Sequence, residues 1–200
     1  DRGEVVDFIS HPDIFLKRYR KGEDENIGIK VPVEELQSAF RLQFSTKAIK
    51  VYPDVYFMGE VPKKTSFEAK TTAFILENKE PDFVIDDSGL VLVQDSEIIL
   101  ISGCAHTGIC NMMEYAKEIT GLNKFRAVLG GFHLKFDNHQ TKETIKYIKS
   151  QNVDRIFPSH CTQLPALAAF IENLNLNSLK PEWFFGFEDC SFQTHLKIEE

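Results

Sequence analysis

Ile98-Ile-Leu-Ile-Ser-Gly-Cys-Ala-His-Thr-Gly-Ile-Cys-Asn111 organises this chain. Its four opening apolar residues, three of them β-branched, predict a buried strand. Ser102-Gly103 ends the strand, a turn of small residues presents Cys104 and His106, and a helical pattern opens near Thr107. A strand end that opens into a helix is where α/β proteins place their chemistry, because the scaffold is rigid and the turn accessible. The arrangement recurs twice. The run from Phe125 to Leu129 predicts a strand entering Gly130-Gly-Phe-His-Leu134, and the run from Val153 to Phe157 predicts one entering Pro158-Ser-His-Cys-Thr162. His106, His133 and His160 therefore follow three strands at equal intervals of 27 residues, 106 to 133 and 133 to 160, one βαβ step each.

Helices fill the intervals. Residues 112 to 119 carry a helical pattern that closes at Gly121, a natural left-handed stop. Residues 142 to 149 turn Ile145 and Ile148 inward and lysines outward, and residues 164 to 174 set Leu167, Phe170, Ile171 and Leu174 on one face. Upstream, Phe83 to Ile85 predicts a strand, Asp86-Asp87-Ser88-Gly89 a turn in which both aspartates are turn formers, and Leu90 to Val93 the next strand of a meander. Earlier still, strands are expected over 5–9, 48–52, 55–58 and 72–76, with Pro53-Asp54 as a turn. Short helices are expected after Asp13, with Phe15, Leu16 and Tyr19 inward, and from Pro32 to Phe40. Phe184 to Phe192 predicts a last strand. No repeat or linker interrupts the chain, so residues 1–200 read as a single packing unit.

Composition narrows the function classes. The 200 residues are 42% hydrophobic and 26% charged, ordinary for a soluble globular domain. A net charge of −7 argues against broad nucleic-acid binding and against an anionic membrane surface. No apolar run approaches the ~20 residues of a membrane span. The four cysteines, at 104, 110, 161 and 190, lack the density of a secreted disulfide framework, which predicts a cytoplasmic protein in a reducing compartment. Gly-x-Ser-x-Gly, P-loop and Gly-x-Gly-x-x-Gly motifs are all missing, which argues against a serine hydrolase, a P-loop NTPase and a Rossmann dehydrogenase.

The strand-end histidines predict a metal site, since imidazole is the commonest metal ligand and zinc takes three or four converging donors. His106, His133 and His160 are the candidate ligands. Cys104 and Cys161, beside them, read either as thiolate ligands or pocket walls, or as small buried hydrophobes. His11, after the first strand, is a further candidate for the pocket lining, whereas His139 and His195 should lie outside.

These residues also carry a resemblance. Ser102-Gly-Cys-Ala-His-Thr-Gly-Ile, Gly130-Gly-Phe-His-Leu and Pro158-Ser-His-Cys-Thr resemble the later motifs of the metallo-β-lactamase superfamily. The branch they resemble is that of the metal-dependent hydrolases of β-lactamase superfamily II, which includes an archaeal ribofuranosylaminobenzene 5′-phosphate dihydropterin synthase. Ser10-His-Pro-Asp and Met58-Gly-Glu-Val-Pro-Lys with Thr65-Ser-Phe-Glu resemble segments of the same branch. The resemblance implies an α/β fold, the C-terminal portion of a metallo-β-lactamase-like αββα sandwich, with a mixed sheet and helices on its outer face. It implies His106 and His160 as ligands, and it puts His133 near the position of the usual bridging Asp. Gln163 stands where the branch usually has Gly, and Lys63 where Arg is usual. The hallmark His-x-His-x-Asp-His loop occurs nowhere in the chain. Together with an opening that has no Met, its absence leads us to expect more of the domain upstream.

Three functions are consistent with this resemblance. One is a hydrolase using one or two divalent ions, Zn²⁺ foremost, with Mn²⁺ or Fe²⁺ as alternatives, to activate water against a small-molecule substrate. Another is a dihydropterin synthase-type transferase with a phosphorylated substrate, whose anion site would draw on Lys63, Lys64 or Arg41. The last is a non-catalytic half domain that needs a partner, either a separate chain supplying the missing N-terminal half or a second copy. On the half-domain view the chain alone would be poorly stable and would bind metal weakly.

Overall fold

The computed structural model describes residues 5–174, and the structural statements that follow concern these residues. In chain order they form β1 (Val6–Ser10), a 3-10 turn (Pro12–Phe15), β2 (Arg18–Arg20), α1 (Val33–Ala39), β3 (Phe40–Phe44), β4 (Ile49–Tyr52), β5 (Val55–Phe57), β6 (Phe74–Leu76), β7 (Pro81–Asp82), β8 (Gly89–Gln94) and β9 (Glu97–Ser102). Then follow α2 (Ile109–Thr120), β10 (Lys124–Gly131), α3 (His139–Ser150), β11 (Asn152–Val153), β12 (Ile156–Ser159) and α4 (Leu164–Leu174).

The main sheet has seven strands in the order β11, β10, β9, β8, β5, β4, with β12 also on β10 beyond β11. It is mixed. β4, β5, β8 and β9 run antiparallel in turn, whereas β10 pairs parallel with β9 on one side and with β11 and β12 on the other. The β8–β9 hairpin turns through Asp95 and Ser96, both at positive φ (51° and 61°), the geometry whose twist matches the flanking strands. Two smaller sheets flank the main one: β1 with β3, and β2, β6, β7.

Burial follows the strand period. Along β9, Ile98, Leu100 and Ser102 are buried while Glu97, Ile99 and Ile101 are only partly so, so one face is the core face. Against it pack Ile109, Met112, Met113 and Ala116 of α2, with Ile145 and Ile148 of α3 and Ala166 and Phe170 of α4 completing the cluster. The fold is thus mixed α/β, with a mixed sheet and helices on its outer face.

Several elements differ from the sequence reading. The expected strand 153–157 is split into β11 and β12. Its pairing to β10 continues across the break, since Asp154 N–H donates to Phe125 O and Val128 N–H to Arg155 O. Residues 83–85 are not a strand. Asp82 Oδ1 accepts the Val84 N–H at 2.8 Å, and Val84 turns to φ 53°, which ends β7 there. After His11 there is only a 3-10 turn; Leu16 is exposed and Tyr19 belongs to β2, so the inward helix face is not formed. Helix α1 stops at Ala39 because the next five residues pair with β1 as β3. The expected strand 184–192, Cys190 and His195 lie outside the described residues.

Candidate metal centre

Three neighbouring strand ends build the site. β9, β10 and β12 lie side by side and parallel, with Ser102 opposite Gly130 and Gly131 opposite Ser159, so the residues that follow them emerge together. After β9, Gly103-Cys104-Ala105-His106 is held by one carboxylate. Asp87, in the turn before β8, accepts the Cys104 N–H at 3.3 Å and the His106 N–H at 2.6 Å. Burial raises the Asp87 pKa, and the neighbouring His106 opposes that rise.

After β10, the backbone makes room. Gly130 takes φ 118°, and a Cβ there would lie 2.2 Å from the Ser102 carbonyl oxygen. A Cβ on Gly131 would lie 2.4 Å from Cys161 Sγ and 2.6 Å from His160 Nε2. His133 sits in the left-handed region at φ 49°, and its N–H donates to Cys161 Sγ at 3.2 Å. The β10 and β12 loops are stapled by Phe132 N–H to Thr162 Oγ1 at 3.1 Å and Gln163 N–H to Leu134 O at 2.8 Å.

The side chains then converge. Ligand atoms of Cys104, His160 and Cys161 all lie within 4.8 Å of one another, with Cys104 Sγ 3.3 Å from His160 Nε2. Cys161 Sγ donates to the Cys104 carbonyl oxygen at 3.4 Å. The rings of His106 and His133 stack with centroids 4.2 Å apart, and Phe74 of β6 meets the His106 ring edge-on at 5.6 Å. Hydrogen bonds from Cys161 and then from His106 and His160 hold the Cys104 thiol well below the usual thiol range, so Cys104 links the two pairs. The Cys104 hydrogen bond and burial push the Cys161 thiol upward. Burial, then the neighbouring His106, pushes His133 down to about 4, leaving it neutral at pH 7.

These residues fit a divalent ion. Neutral imidazoles and thiolates are the donors such an ion takes, and Nδ1 of His133 is buried with no hydrogen-bond partner among the described residues. His160 is exposed, which opens the group to solvent, while Cys104, His106, His133 and Cys161 are half-buried.

The structure therefore brings together His106, His133, His160, Cys104 and Cys161. His11 has a local task instead: its buried ring caps the 3-10 turn, Nδ1 accepting the Asp13 N–H at 3.1 Å. His139 is exposed in the first turn of α3, and Cys110 is a fully buried core residue of α2. The basic candidates are engaged elsewhere. Arg41 forms a two-pronged pair with Asp7, Lys64 pairs with Glu118, and Lys63 Nζ lies 4.0 Å over the Phe83 ring. Sequence reasoning missed Asp87, whose place in an Asp-Asp-Ser-Gly turn masked its hold on the β9 loop. It also missed Glu68, which accepts the Cys110 and Asn111 N–H groups at 3.0 and 2.9 Å and so caps α2 from a distant loop.

Known proteins resemble this arrangement. No family model matches the chain. It is 34% identical over 180 residues to the 7,8-dihydropterin-6-methyl-4-(β-D-ribofuranosyl)-aminobenzene-5′-phosphate synthase of Methanocaldococcus jannaschii, covering 84% of this chain and 60% of the synthase. It is 36% identical over 163 residues to an uncharacterised protein of the same archaeon, covering 80% of this chain and 59% of that protein. The chain thus spans about 60% of the length of these curated relatives. Its fold matches the crystal structure of Tm1679, a metal-dependent hydrolase of the β-lactamase superfamily, with TM-score 0.72 and 20% identity over 85% of this chain and 66% of that one. Among the described residues, no helix is long and apolar enough to cross a membrane. The chain thus shares the fold of that β-lactamase-superfamily hydrolase, and its sequence is similar to that of the archaeal synthase over the part that it spans.

Proposed function

We propose that this chain supplies the later ligands of a metal-dependent enzyme that transforms a small molecule at the ends of β9, β10 and β12. The observation that carries the proposal is the convergence of three histidines and two cysteines from three parallel strand ends on one group that opens to solvent at His160. His106, His133 and His160 would hold the ion. A divalent ion held there would supply Lewis-acid polarisation of a carbonyl or phosphoryl oxygen. The chain's own residues do the rest. Asp87 fixes the backbone on either side of Ala105 and so aims Cys104 and His106. Phe74 walls off the His106 side of the site.

The leading reading is a hydrolase in which water attacks an ester, amide or phosphoester, with Zn²⁺ the preferred ion and Mn²⁺ or Fe²⁺ as alternatives. The second reading is a synthase joining a dihydropterin to an aminobenzene ribose phosphate, and the 34% identity to the archaeal enzyme favours it. One experiment separates them. The protein, loaded with Zn²⁺ or Mn²⁺, is given a panel of phosphodiesters and esters, and separately the dihydropterin and aminobenzene ribose phosphate pair. Product in the second assay alone establishes the synthase, and turnover of the panel alone the hydrolase. If His106→Ala and His160→Ala leave metal content and turnover unchanged, the site is elsewhere.

A further inference from the structure

We propose that Cys104 and Cys161 are metal ligands in their own right, forming with His160 a sulfur-rich subsite for a thiophilic divalent ion of the zinc class. This deepens the metal reading above and rests on it, sharing His160 with the histidine-based site and adding Cys104 and Cys161, which that site does not require.

Geometry supports it first. Zinc bonds sulfur at ~2.3 Å and imidazole nitrogen at ~2.0–2.1 Å, so tetrahedral donors stand about 3.3–3.8 Å apart. Cys104 Sγ and His160 Nε2 are already 3.3 Å apart, and Cys161 Sγ completes a triangle with no side above 4.8 Å. The ring of His160 is oriented for the purpose: Ser159 Oγ lies 3.2 Å from Nδ1, so Nε2 faces the sulfurs. A ligating histidine is usually fixed in this way through its other nitrogen. Cys161 Sγ receives the His133 N–H, the kind of backbone bond that stabilises a metal-bound sulfur. Gly131 is what allows the triangle to close, since any Cβ there would collide with both Cys161 Sγ and His160 Nε2.

Chemistry then sets the preference. Two thiolates and an imidazole form a soft donor set, which selects Zn²⁺ over Mn²⁺ and Mg²⁺. The stacked pair His106 and His133 is not part of this triangle, so the sulfur subsite leaves the histidine pair unconsumed.

Cobalt provides the test, because thiolate ligation gives Co²⁺ a strong near-ultraviolet charge-transfer band that nitrogen and oxygen ligands do not. The reduced, metal-free protein is titrated with Co²⁺ and its spectrum recorded. The expected result is a charge-transfer band that falls by roughly half in Cys104→Ser and in Cys161→Ser, is lost in the double variant, and persists in Cys110→Ala and Cys190→Ser. Because the serine variants can fold poorly, the wild-type protein is also alkylated with and without Zn²⁺, and Zn²⁺ should protect Cys104 and Cys161. Co²⁺ bound with visible bands alone, and thiols alkylated equally with and without Zn²⁺, would overturn the sulfur subsite while leaving the histidine centre standing. No Co²⁺ bound at all would overturn both.

Discussion

Gly131 shows how much one missing side chain decides. Its neighbours His160 and Cys161 occupy the space a Cβ would need, at 2.6 and 2.4 Å. Gly131→Ala should therefore displace both side chains and weaken Zn²⁺ binding about 10–100-fold, the range for a disturbed supporting shell, with the far-ultraviolet circular dichroism unchanged. Competition against a chelator would read the loss, and unchanged affinity would show that neither side chain touches the ion. Glu68 offers a residue whose effect depends on pH. Burial raises its pKa against the hydrogen bonds it accepts from Cys110 and Asn111, so the folded protein holds that proton more tightly than the unfolded chain. This stabilising contribution is complete below the unfolded value of about 4.5 and is lost as pH rises through the higher folded value. Glu68→Gln should flatten that decline, as measured by urea unfolding at pH values below and above the unfolded value of about 4.5. His106, His133 and His160 were legible at this scale because one residue type recurred at one spacing. Asp87 and Glu68 were not, since each acts on backbone many positions away and no local pattern marks it.

Helix α2 is the element on which the core and the site both depend. Its first turn is capped by Glu68, and Asn111 in the same turn ties it to the loop at 64–65: Oδ1 accepts the Lys64 and Thr65 N–H groups at 2.7 Å each while Nδ2 donates to Thr107 O. Asn111→Ala would strand these buried or half-buried backbone groups and should cost roughly 3 kcal/mol. Chemical denaturation would measure it, and a loss under about 0.5 kcal/mol, the level of an ordinary surface change, would mean that water takes over all three bonds. The helices were legible because apolar faces recur over eleven or twelve residues; α4 runs from Leu164 to Leu174, as its pattern implies. Some short strands were not, though β4, β5 and β6 fall where strands were expected. β2 is Arg-Tyr-Arg, and only its pairing with β6 makes it a strand. β3 continues directly from a helix with no Gly or Pro between, so nothing in the residues announces the change.

Across the whole molecule, one buried cation ties the small sheet to the large one. Arg18 of β2 reaches Asp82 at 3.0 Å and grips both oxygens of Asp86 at 2.8 and 2.9 Å, and Asp86 precedes the Asp87 that holds the β9 loop. With Arg18 at 12% exposure and the aspartates at 6% and 8%, removing the cation strands two buried carboxylates. Arg18→Ala should lower stability by about 3–5 kcal/mol and loosen the metal site along with it. Urea unfolding and Co²⁺ titration of the same variant would show whether the two losses occur together. The mixed α/β class was legible from alternating strands and helices, whereas this brace joins residues too distant in sequence to be paired by inspection. A last consequence concerns time rather than position. β10 is flanked by parallel partners on both edges, with Val128 N–H bonded toward β12 and Gly131 N–H toward the β9 loop. In deuterated water the Val128 amide proton should be among the last to exchange, at rates set by opening of the whole domain, while protons on the short β2, β6, β7 sheet leave early. The middle one of the three strands that carry the ligand loops should therefore also hold its protons longest.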